Sequence, residues 1–215
     1  MPVRIQVANT THITFAEEVC SLIEHAARQR GTGIAKRDPE YIRSKIKAGN
    51  AVIALDGPIV AGFCYIETWE DKKYAANSGL IVNPDYRGMG LAKKIKSRAF
   101  ELSRRRFPQT KLFGITTSLP VMKINADLGY RPVTFSELTK DKAFWDGCQS
   151  CPNYDILMRN ERTNCLCTGM LFDPAHPSNK KGDEKRNLIR KYYRWVRLKQ
   201  HSFLNVFKKG KKQHA

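Results

Sequence analysis

The stretch SGLIVNPDYRGMGLAKKIKSRAFELSRRRF, residues 78–107, decides the fold of this chain. It opens with an apolar run that reads as a strand, and Pro84 ends that strand because proline has no N–H for a sheet. Beyond a glycine-rich turn, apolar residues recur at helical spacing, at Leu91, Ile95, Ala99 and Leu102. The first N–H groups of a helix have no partner within it and favour a bound anion. The stretch therefore predicts a strand, a turn and a helix arranged around a phosphate-like group.

The turn itself carries residues suited to an anion. Gly88 and Gly90 let a ligand approach the backbone closely, and Arg87 and Lys93 add positive charge. The turn is not a Walker loop, which needs G-x-x-x-x-G-K-[ST], and it lacks the G-x-G-x-x-G of a dinucleotide site. An ordinary strand-to-helix connection is the alternative interpretation.

Length and charge divide the chain into a body and a basic tail. Its 215 residues suit one domain with an appendage, and the net charge is +18. Residues 178–215 hold thirteen lysines and arginines against two acidic residues. Because the sequence has neither an apolar run of about 18 residues nor a signal-like start, we expect no transmembrane helix and no export. Six cysteines in such a chain predict a reducing compartment and a cytoplasmic protein.

Alternating strands and helices predict an α/β (α+β) fold. Helices are expected at residues 15–30, 39–48 and 120–128, besides the one that follows the glycine turn. Asp38 and Pro39 form a typical helix start, and Gly129 a typical helix end. Strands are expected at residues 3–7, 50–55, 59–69, 73–82, 111–116, 130–135 and 154–158.

Two motifs resemble a known family. Residues 87–92, R-x-x-G-x-A preceded by V-x-P-x-Y, resemble the acyl-CoA pyrophosphate loop of the GNAT superfamily of N-acyltransferases. Residues 121–130 resemble the helix that ends many GNAT domains in Y-E-x-x-G-F. The order of elements over residues 1–160 looks like the GNAT fold, a central mixed, mostly antiparallel sheet with flanking helices. The resemblance implies a GNAT acyltransferase domain at residues 1–160.

The resemblance also implies a donor and a direct reaction. Acetyl-CoA or succinyl-CoA would be the co-substrate, with its pantetheine arm between the strand at 80–82 and the strand at 112–116. The acceptor amine would attack the thioester with no covalent enzyme intermediate. The residues implied to bind the CoA are Leu80, Ile81, Val82, Arg87, Gly88, Met89, Gly90, Leu91, Ala92 and Lys93.

The catalytic residues are less clear from the sequence. Asn125 stands where many relatives have a tyrosine general acid, and an amide can hydrogen-bond a thiolate but cannot protonate it. Glu67 lies between aromatic residues in a strand, where burial would raise its pKa toward the range of a general base. The alternative is that Glu67 lies at a frayed strand end beside water.

Cations near residue 30 bear on the charge of the acceptor. Arg30, Lys36 and Arg37 fall in a glycine-containing loop and suit a carboxylate-bearing acceptor, although a solvated loop is equally consistent. The chain, including its CQSC and NCLC motifs, resembles a Bacteroidetes-type GNAT protein that acylates an amino acid in arginine biosynthesis. That resemblance implies glutamate as the acceptor and an acetyl or succinyl donor.

Two cysteine pairs predict a metal site. The C-x-x-C and C-x-C spacing fits a closed, structural zinc site in a hairpin at residues 146–172, with the predicted strand at 154–158 between the pairs. The proposed ligands are Cys148, Cys151, Cys165 and Cys167. Disulfides or a redox C-x-x-C are the alternatives.

Residues 176–215 read as a linker and a basic amphipathic helix. Such a helix can pack on its own domain, on a second subunit of a homodimer, on nucleic acid or on a membrane surface. The leading hypothesis is an acyl-CoA-dependent N-acyltransferase that acts on a small amine. The alternatives are a nucleic-acid-binding, zinc-containing module on a degenerate GNAT scaffold and a protein-lysine acetyltransferase. An intact pyrophosphate loop argues against the degenerate scaffold.

Overall fold

The computed structural model describes residues 2–30 and 37–177, except for the side chain of Arg30. The chain divides after Pro177. The predicted basic helix therefore lies outside the described residues, as do Lys36 and most of the glycine-containing loop around it.

A seven-stranded sheet forms the centre of the body. Its spatial order is β1-β2-β3-β4-β5-β7-β6, and every pairing is antiparallel except the parallel pair of β4 and β5. The predicted mixed, mostly antiparallel sheet is confirmed. The strands are β1 (Arg4–Val7), β2 (Ala51–Asp56), β3 (Ile59–Trp69), β4 (Tyr74–Val82), β5 (Lys111–Thr116), β6 (Arg131–Val133) and β7 (Thr168–Phe172).

Six α-helices flank this sheet in the described part of the chain. Where α2 begins, the Asp38 carboxylate accepts hydrogen bonds from the backbone N–H groups of Glu40 and Tyr41, as a helix N-cap does. The helices are α1 (Ala16–Arg30), α2 (Pro39–Lys47), α3 (Leu91–Arg106), α4 (Leu119–Asp127), α5 (Lys142–Asp146) and α6 (Tyr154–Arg159).

Strand β3 shows how the sheet separates two cores. Successive side chains of a strand point to opposite faces. Phe63 and Tyr65 pack with the buried residues of α1 and α2, whereas Cys64 and Ile66 pack with those of α3. All four side chains are buried, so both faces of the sheet are covered. The sheet is thus enclosed, and β4 and β5 lie in its interior rather than at an edge.

The parallel pair of β4 and β5 is short. Only Tyr74, Ala75 and Ala76 of β4 have partners on β5. Both strands continue beyond that point without pairing with each other. The two strands therefore part in the middle of the sheet, as expected from the sequence. Backbone groups in the opening are left without a strand partner, which is unusual inside a sheet.

The end of the body differs from the prediction. The expected strand at residues 154–158 is wrong, because Tyr154–Arg159 is helix α6. Alternation of Tyr154, Ile156 and Met158 suggested a strand, but the residue that is fully buried is Leu157, and Asp155 pairs with Arg159 across one helical turn.

The sheet also continues past the predicted domain end at residue 160. Strand β7, which the sequence analysis missed, pairs with β5 on one side and β6 on the other. The predicted strand at 130–135 is shorter than expected, since β6 ends at Val133 and a single 3₁₀ turn follows at Phe135–Glu137.

Residues 2–30 and 37–177 contain no helix with both the length and the apolar character needed to cross a membrane.

A buried lysine lies beneath the point where β4 leaves β5. Lys96 of α3 is 3% exposed, and its ammonium group donates to the backbone carbonyl of Asn77 at 3.2 Å. The same ammonium lies 5.6 Å from the centre of the Tyr130 ring. Burial lowers the pKa of Lys96, although a negative charge on Cys64 would oppose this. The protonated form of Lys96 is therefore disfavoured in the folded protein.

We expect the free energy of unfolding to rise less steeply with pH in Lys96→Met than in the wild type. Because the pKa of Lys96 is lower in the folded than in the unfolded chain, the unfolded chain binds more protons between the two values, and the free energy of unfolding rises with pH there. The free-energy cost of burying the charge is fully present at pH values below the pKa of Lys96 in the folded chain. It vanishes at pH values above the pKa of an unfolded lysine, about 10.4. Urea unfolding between roughly pH 7 and pH 10 should show any advantage of the variant shrinking as the pH rises. Parallel stability curves would contradict this.

Candidate active site

A cavity of about 530 Å³ opens where β4 and β5 part, a size typical of small-molecule sites. One side is formed by residues 76–81 of β4 and 114–116 of β5. The other side is formed by the ends of β3 and α5, by Arg37 and Tyr41, and by three cysteines. The cavity thus joins the predicted donor wedge to the predicted acceptor residues.

A bulge bends β4 inside this cavity. Phe63 of β3 pairs with Ile81 and Tyr65 pairs with Ser78, so two residues of β4 face one residue of β3. Gly79 occupies the bulge with a φ of +62°, which glycine adopts without strain. A Cβ atom there would lie 2.5 Å from a ring carbon of Tyr65. The sequence analysis missed this feature, although a glycine within an apolar strand is the usual signal for a bulge.

Arg37 is the described member of the predicted cationic clamp. Its Nε donates to the Tyr65 hydroxyl at 2.6 Å, and its guanidinium carbon lies 5.9 Å from the centre of the Tyr65 ring. Tyr41 of α2 packs edge-on against the same ring, at 5.7 Å between centroids. The structure places Arg37 in the cavity wall, whereas the Arg30 side chain and Lys36 lie outside the described residues.

Glu67 of β3 also lines the cavity. Its side chain is 21% exposed, so it lies in the wall and not at a frayed end in water. Burial raises its pKa, and the positive charge of Arg37 opposes that rise. The Lys45 ammonium is 3.4 Å from Oε1, longer than a good hydrogen bond, and burial followed by Arg37 lowers the pKa of Lys45. A carboxyl group in this environment keeps its proton to a higher pH than an exposed one, but its role as a base stays a prediction.

The glycine turn has the backbone shape of an anion site. Gly88 and Gly90 have φ values of +81° and +71°, and Gly90 is the N-cap of α3. No described side chain caps the first N–H groups of this 16-residue helix. A Cβ atom added at either glycine would meet nothing within 4 Å in the described structure. There is therefore open space over the unpaired N–H groups, as an anion requires.

The other residues predicted in this loop have different environments. Met89 is exposed, whereas Leu91 is buried in the core beneath α3. Arg87 contacts Gln29 of α1, and Lys93 pairs with Asp127 of α4 at 2.7 Å. Of the three predicted β4 residues, Leu80 and Ile81 line the cavity. Their roles in CoA binding, like those of Val82 and Ala92, stay predictions.

Asn125 lies behind the cavity wall. It is 2% exposed, and its Nδ2 is 4.0 Å from the position a Cβ would take on Gly114, a wall residue of β5. Nδ2 also contacts the Met170 sulfur at 3.8 Å, and Oδ1 has no hydrogen-bond partner in the described part of the chain. The predicted contact with a leaving thiolate stays a prediction, and Gly114 lies between Asn125 and the open space.

The two cysteine pairs come together as a thiol cluster, defined as Cys148, Cys151, Cys165 and Cys167. Helix α6 lies between the pairs, so the predicted hairpin is wrong. Burial raises the pKa of Cys148 to about 11, and Cys151 and Cys165 add to that rise. Burial, then the other three thiols of the cluster, raise the pKa of Cys167 to about 12. The four thiols are therefore close enough to influence one another.

The thiol cluster is not arranged as a metal site. In the described ranges, no group of three or more His, Cys, Asp or Glu side chains is placed to hold a metal ion. The predicted structural zinc therefore finds no support in the geometry. Instead, Cys148, Cys151 and Cys167 line the cavity.

Aromatic residues complete the cavity wall beside the thiols. Trp69 of β3 packs against Phe113 and Phe144, with ring centroids 5.4 and 5.2 Å apart. The Trp145 indole donates to the carbonyl of Thr139 at 2.9 Å, which holds α5 against the loop that precedes it. The sequence analysis did not place Phe144 at the site, because the packing of a five-residue helix depends on distant partners.

Comparison with known proteins shows which proteins part of the chain resembles. Residues 17–119 match the model of the Acetyltransferase (GNAT) family. The uncharacterized N-acetyltransferase YfmK of Bacillus subtilis (strain 168) is 41% identical over 69 residues, which are 32% of this chain and 45% of that protein. This chain thus spans less than half the length of that curated relative.

Solved structures share the fold at low identity. N-acetylglutamate synthase from Neisseria gonorrhoeae, complexed with coenzyme A and N-acetyl-glutamate, has a TM-score of 0.57 and 17% identity over 80% of this chain and 35% of that one. YncA, a putative acetyltransferase from Salmonella typhimurium with its cofactor acetyl-CoA, has a TM-score of 0.55 and 13% identity over 81% of this chain and 95% of that one. At these identities the likeness establishes the fold.

The bulge glycine gives a test of this geometry. Gly79 and Gly57 both have positive φ, but a Cβ on Gly57 would meet nothing within 4 Å. We expect Gly57→Ala to cost about 1 kcal/mol of unfolding free energy from backbone strain alone. Gly79→Ala should cost roughly 1–3 kcal/mol more, because Tyr65 must move. Urea unfolding of the two variants measures the difference, and equal losses would show that Tyr65 does not press on the bulge.

Proposed function

We propose that this chain, which carries an acetyltransferase domain of the GNAT family, transfers an acyl group from acyl-CoA to the amine of a small, acidic acceptor. One observation carries the proposal. A single cavity joins the opening between β4 and β5 to a half-buried carboxylate, Glu67, and to a cation, Arg37. The opening suits an extended donor arm, the carboxylate suits a base, and the cation suits an acidic acceptor.

The proposed binding of the acyl-CoA donor depends on unpaired backbone groups. The uncapped start of α3 and the open space above Gly88 and Gly90 suit the CoA pyrophosphate. From there, the unpaired parts of β4 and β5 offer backbone N–H and C=O groups to the amides of pantetheine. The family's solved relatives include one described with acetyl-CoA, which supports this donor.

The proposed binding of the acceptor depends on positive charge held in a fixed position. Arg37 is held by the Tyr65 hydroxyl, which aligns its guanidinium in the wall. A guanidinium carries five N–H donors and can bind a carboxylate through two parallel hydrogen bonds. A second cation, the Lys45 ammonium, lies 3.4 Å from Oε1 of Glu67. The gonococcal relative in fold is named N-acetylglutamate synthase, which supports glutamate as the acceptor.

The reaction needs a proton acceptor for the amine. The acceptor enters as an ammonium ion, and Glu67, directly or through one water, takes a proton from it. The amine nitrogen then attacks the thioester carbonyl, a step favoured by holding both reactants in one cavity. Negative charge develops on the carbonyl oxygen, and the backbone N–H groups freed by the bulge at Gly79 are placed to stabilise it. The CoA thiolate leaves as the new amide forms.

A substrate screen tests this function directly. Amino acids and related amines should be incubated with acetyl-CoA and with succinyl-CoA, and the acylated product measured by mass spectrometry. We expect acidic amino acids, glutamate first, to be acylated faster than neutral or basic ones. Absence of product with every acceptor, together with no thermal shift on addition of CoA, would refute the proposal.

The glycine turn provides a test of donor binding. We expect Gly90→Ala to weaken CoA binding about tenfold or more, equal to about 1.4 kcal/mol, because its Cβ would occupy the space of the pyrophosphate. Its stability should fall by about as much as that of Gly57→Ala, since both positions have positive φ and open surroundings. Calorimetric titration with CoA measures the affinity. Equal affinities for CoA in the two variants would place the pyrophosphate elsewhere.

The pH dependence of the rate tests Glu67. A base must be deprotonated, so kcat/KM should rise with pH through the pKa of Glu67, which burial places above that of an ordinary carboxyl group. Glu67→Gln should lose this rise and lower the rate at neutral pH by more than roughly tenfold. Glu70→Gln is the matched control, because Glu70 accepts hydrogen bonds from Thr139 and the Lys140 backbone and does not line the cavity. An unchanged pH–rate profile in Glu67→Gln would remove Glu67 from the mechanism.

A further inference from the structure

The thiol cluster is the part of the cavity that acyl transfer does not use. Cys148, Cys151 and Cys167 line the same space as Glu67 and Trp69. All six cysteines of the chain are free thiols in this structure. Because burial raises the pKa of Cys148 and of Cys167, little of either is thiolate near neutral pH and each reacts slowly. Three thiols in one cavity wall can nevertheless be joined in pairs by exchange with an added disulfide.

Two of these thiols lie at the two ends of one tight turn. The backbone N–H of Cys151 donates to the carbonyl of Cys148 at 2.9 Å, which closes a four-residue turn. Such a turn keeps its first and last Cα atoms within about 7 Å. Disulfides join Cα atoms about 4.4–6.8 Å apart, a separation that such a turn allows. The second pair, Cys165 and Cys167, has a single intervening residue and no such turn bond among the described contacts.

The turn is also connected to the cavity wall. It follows α5 directly, and the backbone N–H groups of Gly147 and Cys148 donate to the carbonyls of Phe144 and Trp145. Phe144 packs against Trp69, which lies two residues after Glu67 on β3. A change in the turn therefore reaches the acceptor side of the cavity through a short series of contacts.

We propose that Cys148 and Cys151 form a reversible disulfide in the cavity wall, and that this oxidation slows acyl transfer. The oxidant is a small-molecule disulfide such as oxidised glutathione. One cysteine thiolate attacks the oxidant, forms a mixed disulfide and releases one glutathione thiolate. The second cysteine then attacks the protein sulfur of the mixed disulfide and releases the other glutathione. Two cysteine thiols lose two electrons and two protons, and the oxidant becomes two thiols.

Peptide mass gives a readout that does not depend on activity. Cleavage after lysine and arginine places Cys148 and Cys151 in the peptide 143–159, and Cys165 and Cys167 in a different one. After treatment with oxidised glutathione and alkylation, we expect peptide 143–159 to be unalkylated and about 2 Da lighter than its dithiol form. Dithiothreitol should restore both thiols.

Two cysteine variants show which pair reacts. Cys148→Ser should abolish the intrapeptide disulfide, whereas Cys165→Ser should keep it. Persistent alkylation of both thiols in peptide 143–159 would overturn the proposal, as would a disulfide that joins the two peptides. Stoichiometric zinc in the reduced protein, lost in Cys148→Ser, would also overturn it, since the thiols would then be metal ligands.

The effect on activity rests on the proposed function and is measured separately. We expect oxidation to lower the transfer rate roughly tenfold or more, because small displacements of groups that position a substrate are costly. Cys148→Ser should show the same rate before and after oxidant, and reduction should restore the wild-type rate. A wild-type rate that stays constant while the disulfide forms would overturn the regulatory part. If no acceptor is acylated at all, the proposed function fails while the peptide masses still decide the disulfide.

Discussion

The separation of β4 from β5 after three residue pairs is the constraint on which the site depends. Inside a sheet, unpaired N–H and C=O groups are costly unless water or a ligand satisfies them. Here the strands on both sides keep their partners, β3 on one and β7 on the other, so the opening is held apart by a continuous framework. The bulge at Gly79 turns β4 away, and the helix that starts at Leu91 leaves its own N–H groups at the end of the same strand. The scaffold thus presents unpaired backbone along the whole length of an extended ligand.

The chemistry is supplied by side chains that cross this opening from the other strands and helices. Glu67 is surrounded by protein on most sides, which favours its neutral form, while Arg37 and Lys45 favour its charged form. These opposing effects act on the group that we propose as the base. The same positive charges would suit the acidic acceptor of the proposed function, so one set of residues would affect both the base and the choice of acceptor. A purely apolar cavity would do neither.

The sequence predicted features that depend on neighbouring residues. The start of α2 at Asp38 and Pro39, the glycine turn and the amphipathic α3 all follow from local rules of capping and periodicity. The predictions were wrong where contacts between residues distant in the sequence determine the structure. Residues 154–158 alternate like a strand, yet packing of Leu157 against the sheet makes them helical, and β7 was missed although it lies between two other strands. The approach of the thiol cluster to Glu67 could not be predicted, because some 80 residues separate them and only the folded sheet brings them together.

Tyr65 contacts two residues of the cavity wall, Gly79 and Arg37. Its ring occupies the space that a side chain on Gly79 would need, and its hydroxyl accepts the hydrogen bond that orients Arg37. The bulge in β4 and the guanidinium of Arg37 are therefore positioned by opposite ends of one buried side chain. Replacing Tyr65 would remove both contacts at once. On the proposed function, a change of acceptor specificity at Tyr65 would therefore also disturb the donor site, and new specificities would have to arise by substitutions around Tyr65 that leave the ring in place.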